Sequence, residues 1–164
     1  MEIKNFKFKK KYGQNFLIDS NITNKIANVI KDKTNSLVIE IGCGDGRLTK
    51  QLCTYYDKVL CYEIDEEVIP YLKDNLKEYN NYNVILGDFL KRDVNLDIKL
   101  FKYDKLYVVA NLPYYITTPI IEKIINSKID ADTLVFMVQK EVGDRFSAKV
   151  GTKEYSSLSV YLNY

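Results

Sequence analysis

Residues 37–50, LVIEIGCGDGRLTK, constrain this chain more than any other stretch. An apolar, largely β-branched run (Leu37, Val38, Ile39, Ile41) leads into glycines at every second position, Gly42, Gly44 and Gly46. An amphipathic run then starts at Arg47. A strand that empties into a glycine turn and reopens as a helix lets backbone N–H groups approach a ligand where a side chain would obstruct it. Glu40 sits within the apolar run, one strand step before the loop. The pattern predicts a nucleotide-like ligand held over the end of a first strand.

The remaining periodicities alternate between strand and helix. A helix capped by Asp19 or Ser20 is expected to bury Ile22, Ile26, Val29 and Ile30, and a helix after the glycine loop to bury Leu48, Leu52 and Cys53. A second strand spans 58–65 and ends in acidic residues. The helix after it, from about Glu66, carries Val68, Ile69, Leu72, Leu76 and Tyr79 on one stripe, with Pro70 close to its start. A third strand, 83–88, also ends on an acid, and 89–102 reads as loop with a short helical piece. The fourth strand runs to about Ala110. Thr117 or Thr118 then caps a helix with Pro119 in its first turn and Ile120, Ile121, Ile124 and Ile125 on its buried face. A fifth strand, 133–139, is uniformly apolar, as if covered on both sides. Residues 140–155 read as a polar connection and 156–164 as a sixth strand. This order predicts one α/β domain of 164 residues built on a doubly wound, mostly parallel sheet.

Composition narrows the chemistry. The chain has no histidine, which excludes Ser–His and Cys–His nucleophilic mechanisms. Its three cysteines, Cys43, Cys53 and Cys61, form no CxxC pair, so neither a zinc site nor a disulfide framework is expected. No signal peptide or membrane-length apolar run is evident, so the expected setting is reducing and cytoplasmic, with no membrane partner. Net charge is only +2, yet Lys4, Lys7, Lys9, Lys10 and Lys11 crowd the first eleven residues among Phe6, Phe8 and Tyr12. A basic, aromatic arm suits a phosphate backbone with unstacked bases, although a solvated tail has the same composition.

The loop spells G-x-G-x-G rather than the G-x-G-x-x-G of a dinucleotide fold, and no Gly-Lys-Ser/Thr follows as in a P-loop. Glu63, about twenty residues past the loop, can accept from both ribose hydroxyls, and Asp88 can accept from an adenine amine. Strands one, two and three then bring three features to one crevice. An adenosine-bearing ligand that needs no pyrophosphate grip is S-adenosylmethionine, which would leave as S-adenosylhomocysteine.

Strand four ends in Asn111-Leu112-Pro113-Tyr114. This offers an amide carbonyl (Asn111), a backbone carbonyl held out by proline (Leu112 before Pro113) and a stacking ring (Tyr114). Two acceptors can draw the exocyclic amine of a base toward tetrahedral geometry and aim its lone pair at a methyl on sulfur. Positioning and preorganised dipoles would supply the acceleration, with no metal.

These residues resemble the ribosomal RNA adenine dimethyltransferases that modify small-subunit rRNA. The matching motifs are YGQNFL (12–17), EIGCGDGRLT (40–49), the acid of YEID (Glu63), GDFL (87–90), NLPYYITTPI (111–120) and MVQKEVGDRF (137–146). The resemblance implies a class I S-adenosylmethionine-dependent methyltransferase fold of Rossmann-like type. It implies a methyl donor held by Gln14, Asn15, Leu17, Gly42, Gly44, Glu63, Ile64, Asp88, Phe89 and Asn111. It further implies an adenine of immature small ribosomal subunits set against Asn111, Leu112, Pro113 and Tyr114 and methylated twice on its amine. The arm before Tyr12 would be mobile and close over cofactor and RNA. The large-subunit rRNA methyltransferases of macrolide resistance are similar through YGQNFL, but Leu112 and Tyr115 favour the small-subunit group. Other readings are a methyltransferase acting on protein or small molecules, and a non-catalytic RNA-binding or assembly module.

Members of this family continue for roughly another hundred residues, with a seventh strand and a helical C-terminal domain that this sequence lacks. The expectation for 158–164 is therefore an exposed apolar edge, frayed or paired with another chain, on an otherwise monomeric protein. Reduced RNA-binding surface would leave cofactor binding intact and methylation weak.

Overall fold

A computed structural model describes residues 19–153 and Ser159. Eleven elements follow in order. They are α1 (Ser20–Asn28), β1 (Ser36–Ile41), α2 (Arg47–Tyr55), β2 (Lys58–Glu63), α3 (Ile69–Asn75), β3 (Tyr82–Leu86), α4 (Val94–Ile98), β4 (Lys105–Asn111), α5 (Thr117–Asn126), β5 (Thr133–Met137) and α6 (Lys140–Phe146). Short 3-10 turns precede α3, α4 and α5. The strands form one parallel sheet in the order β3-β2-β1-β4-β5. The expected doubly wound architecture is therefore present. The order reverses at β1, so the crevice between the carboxyl ends of β1 and β4 is the switch point where open α/β sheets bind ligands. Among the described residues no helix is long and apolar enough to cross a membrane.

Strand alternation divides the core into two layers. Leu37, Ile39 and Ile41 of β1 join Leu60 and Tyr62 of β2, Ile98 of α4 and Ile121 and Ile124 of α5 on one face. Val38 joins Val59 and Cys61 of β2 with Leu52 of α2 and Leu72 of α3 on the other. β1 is buried along its whole length because it has a strand on each side and helices on both faces.

Several local expectations need correction. Asp19 does cap α1, its carboxylate accepting from the Asn21 N–H at 2.8 Å. The buried stripe, however, is Thr23, Ala27 and Ile30, while Ile22 and Val29 are 42% and 56% exposed. The helix rests on α2 through its small residues, which the bulky-apolar pattern did not reveal. Thr117 is the first residue of α5 rather than its cap, and its hydroxyl donates to the Pro113 carbonyl at 2.9 Å. β5 is the outer strand of the described sheet and only half-buried, although Leu134 and Phe136 pack on one core layer and Val135 on the other. The polar connection contains α6, braced by an i,i+4 ion pair from Lys140 to Asp144 at 2.8 Å. In the proposed sixth strand, Ser159 is helical and buried, with its hydroxyl donating to the Arg145 carbonyl. A strand edge at that position is thus overturned, and the rest of 156–164 lies outside the described residues, as does the arm of residues 1–11.

Gly46 shows why the loop admits so little variation. Its φ of +85° belongs to the left-handed region, and a Cβ placed there would lie 3.3 Å from Leu72 Cγ and 3.4 Å from Leu76 Cγ. Backbone strain and overpacking against α3 therefore act together. Gly46→Ala is expected to cost about 2 kcal/mol of folding stability, read from urea denaturation midpoints at unchanged m-value. A midpoint within error of the parent chain would refute this packing account.

Candidate cofactor and base site

The register Ile41↔Ala110 sets the carboxyl ends of β1 and β4 side by side. Gly42 and Asn111 therefore leave the sheet as neighbours across the switch point. The pairing Glu63↔Leu86 does the same for β2 and β3. Asn111, Gly42, Glu63 and the Asp88 turn thus lie along one end of the sheet, as the sequence predicts.

The glycine loop is held from β2. The Tyr62 carbonyl accepts the Gly42 N–H at 2.8 Å and the Cys43 N–H at 3.3 Å. Glu63 then turns its carboxylate into the loop. One oxygen accepts the Gly44 N–H at 2.7 Å, and the other accepts the Ile64 and Asp65 N–H groups at 2.8 and 2.9 Å. Burial raises the Glu63 pKa and these three N–H bonds oppose it, the net direction being upward. Three of about four acceptor positions on the carboxylate are in use. Ribose recognition by Glu63 would share this carboxylate with the loop. Below it, the Gly46 end is tied down by Asp45, which is buried, takes the Arg47 guanidinium at 2.8 Å and offers its carbonyl to the Asn75 amide at 2.7 Å. Sequence reading passed over Asp45 and Asn75; an acid between two loop glycines was the available clue.

The loop fits a ligand from above. Gly42 has φ +76°, and a Cβ there would meet nothing within 4 Å. That open space is the approach a cofactor requires. Ile64 at the end of β2 and Leu86 at the end of β3 are exposed apolar side chains beside the acids. The pair suits an aromatic base, and Leu86 was not anticipated. Asp88 accepts the Leu90 N–H at 3.0 Å as the cap of the following turn, and its other oxygen lies 3.8 Å from Lys91 Nζ. The Phe89 ring is buried in the core, edge-on to Tyr62 at 5.0 Å, which leaves its main chain as the part that can meet a ligand. It supports the Asp88 turn from beneath.

At the end of β4, the Leu112 N–H donates to the Met137 carbonyl at 3.1 Å and the Leu112 side chain is anchored in the core. The Pro113 carbonyl takes the Ile116 N–H and the Thr117 hydroxyl. Asn111 is half-buried at the strand terminus. Tyr114 opens the 3-10 turn before α5, and its ring falls outside the described part of the structure. Gln14, Asn15 and Leu17 lie outside the described residues.

Beneath the loop, Glu40 is 1% exposed and packed with Cys61, whose thiol lies 3.8 Å from its carboxyl. Thr49 Oγ1 is buried beside it without a partner of full hydrogen-bond geometry. Desolvation pushes the Glu40 pKa up to about 8, so the acid is largely neutral at neutral pH. Cys43 is buried against this cluster and fills space there.

A parallel sheet in this order with an open glycine loop at the switch point defines the Rossmann-like fold of the class I S-adenosylmethionine-dependent methyltransferases. Within that class, residues 5–164 match the family described as ribosomal RNA adenine dimethylase, and the chain belongs to it. It is 50% identical over 161 residues to the ribosomal RNA small subunit methyltransferase A of Staphylococcus epidermidis, covering 97% of this chain and 54% of the relative. The crystal structure of a dimethyladenosine transferase from Plasmodium falciparum superposes with a TM-score of 0.76 at 35% identity, covering 91% of this chain and 52% of that one. The 23S rRNA methyltransferase ErmE is more distant, at 27% identity and a TM-score of 0.63, covering 80% of this chain and 50% of that one. The chain thus spans about half the length of the curated relatives it matches.

The buried Glu40 gives this site a pH signature. Its folded-state pKa of about 8 exceeds the ordinary 4.5, so the stability it contributes is full below pH 4.5 and is lost as pH rises to about 8. Glu40→Gln should abolish that slope and gain on the parent chain by up to roughly 5 kcal/mol across the interval. Urea denaturation at pH 5, 6.5 and 8 reads this directly; parallel curves for parent and variant would exclude a neutral Glu40.

Proposed function

We propose that residues 1–164 form a catalytic domain that transfers methyl groups from S-adenosylmethionine to the exocyclic amine of adenines in small-subunit ribosomal RNA. It would act twice on each target, on immature small subunits in the cytoplasm. The observation that carries this reading is the juxtaposition of Gly42 and Asn111 across the switch point, which sets a cofactor cradle beside a Leu-Pro strand end. The name and 50% identity of the Staphylococcus epidermidis relative favour the small subunit over the large.

The cofactor supplies an electrophilic methyl group on a sulfonium. The chain supplies its place and the orientation of the acceptor. Gly42 and Gly44 would line the cradle, Glu63 would accept from the ribose, Ile64 and Leu86 would flank the adenine, and Asp88 would take its amine. Of two consecutive carbonyls, that of Pro113 is committed to the start of α5. The Leu112 carbonyl and the Asn111 amide oxygen are assigned to the substrate amine. The first belongs to backbone fixed by β4 and by the Met137 carbonyl, and the second to the side chain of the last β4 residue, so little reorganisation is needed when charge develops on nitrogen. Tyr114 follows as the ring the sequence assigns to stacking on the target base.

Incubation of the chain with labelled S-adenosylmethionine and immature small subunits, followed by nuclease mapping, should reveal dimethyladenosine. Asn111→Ala should lower transfer at least about 100-fold while thermal stability changes little. Full transfer by that variant would sink the mechanism. Undetectable calorimetric binding of S-adenosylmethionine, alongside retained RNA binding, would point instead to an RNA-binding assembly module.

A further inference from the structure

Tyr62 meets the candidate site from three directions without facing the ligand. Its carbonyl holds the glycine loop at Gly42 and Cys43, as described above. Its ring packs edge-on against Phe89, centroids 5.0 Å apart at 74°. Its hydroxyl donates to Asp97 Oδ2 at 3.0 Å in the buried core. The same carboxylate receives the Arg92 guanidinium through two nitrogens, Nε on Oδ2 at 3.1 Å and NH2 on Oδ1 at 2.5 Å. A buried carboxylate shared between a phenol and a bidentate guanidinium has its acceptor sites well filled, and it holds both partners in fixed geometry.

The clasp encloses a specific segment. Asp88, which is assigned to the adenine amine, and Phe89 lie just before Arg92 in sequence. Phe89 is pinned to β2 through the Tyr62 ring, and Arg92 is pinned to α4 through Asp97. The turn carrying Asp88 is therefore anchored to β2 directly through the Phe89–Tyr62 ring contact and indirectly through the Arg92–Asp97–Tyr62 chain of polar bonds. Burial raises the Tyr62 pKa further, so the phenol remains a donor throughout the working pH range. Nothing in the cofactor chemistry requires a phenol here; packing alone would be served by phenylalanine.

We propose that the Tyr62–Asp97–Arg92 clasp is a positioning device that fixes the Asp88–Phe89 turn and thereby sets selectivity for the amino-substituted purine of the cofactor. The inference rests on S-adenosylmethionine as the ligand. Tyr62 is a positioning residue and touches neither reactant.

The test compares calorimetric affinities of the full chain for S-adenosylhomocysteine and for its inosine counterpart, in which a carbonyl replaces the adenine amine. Tyr62→Phe should weaken adenosyl binding about tenfold and leave inosyl binding within about twofold, so the ratio between the ligands contracts. Arg92→Gln removes the guanidinium from a solvent-facing position and should contract the ratio in the same direction by a smaller factor, even if Tyr62→Phe fails to fold. A lower melting temperature with an unchanged ratio in the folded variants would overturn the proposal, because a merely structural clasp predicts that result. Absence of S-adenosylhomocysteine binding by the unaltered chain would overturn the cofactor reading, and the proposal with it.

Discussion

The site depends on a buried carboxylate that bonds to backbone. Glu63 lies at the end of β2, where desolvation disfavours its charge, and three N–H groups within 2.9 Å oppose that penalty. One of those N–H groups belongs to Gly44, in the neighbouring β1–α2 loop. The loop contains three glycines at positive φ, and beside its Asp45 contacts this bond from the adjacent strand fixes where its open side points. With this bond Glu63 and the loop are one unit, and a change at Glu63 would be felt in both.

The strand order distributes the remaining work. β1 and β2 carry the loop and its anchors, β3 delivers the Asp88 turn, and β4 delivers the Asn-Leu-Pro segment on the opposite side of the switch point. The candidate cofactor and acceptor segments therefore come from different strands and meet over a single end of the sheet. Because β1 and β4 are parallel and in direct register, their relative position is set by main-chain hydrogen bonds rather than by flexible side chains. Such rigidity is what an in-line transfer requires, since a misplacement of about 1 Å can cost two orders of magnitude in rate.

Much of this was legible in the sequence because the relevant features are periodic or backbone-driven. Glycines at alternate positions after a β-branched run, acids at strand ends and proline after Asn-Leu each constrain main chain directly. The misreadings arose where side-chain size misled. α1 buries Thr23 and Ala27 because a close helix contact favours small residues, while Ile22 and Val29 stay exposed. α6 was hidden because none of its residues is fully buried, so no apolar stripe marked it. Asp45, Asn75 and the Asp97 clasp depend on contacts between distant parts of the chain, which no local pattern records.

Glu40 and Glu63 show how one fold gives two buried acids beside the same loop different partners. Both are buried, and the nearby Glu63 adds to the upward shift of Glu40. Their partners differ. Glu40 meets a thiol and a hydroxyl, groups too weak to offset its desolvation, and it stays largely protonated at neutral pH. Glu63 meets three oriented backbone dipoles, which favour its ionised form. Burial still leaves the Glu63 pKa above its ordinary value, while a largely neutral Glu40 places no full second charge beneath the loop. The acid within β1, an anomaly in an apolar strand, thus serves the loop by remaining uncharged.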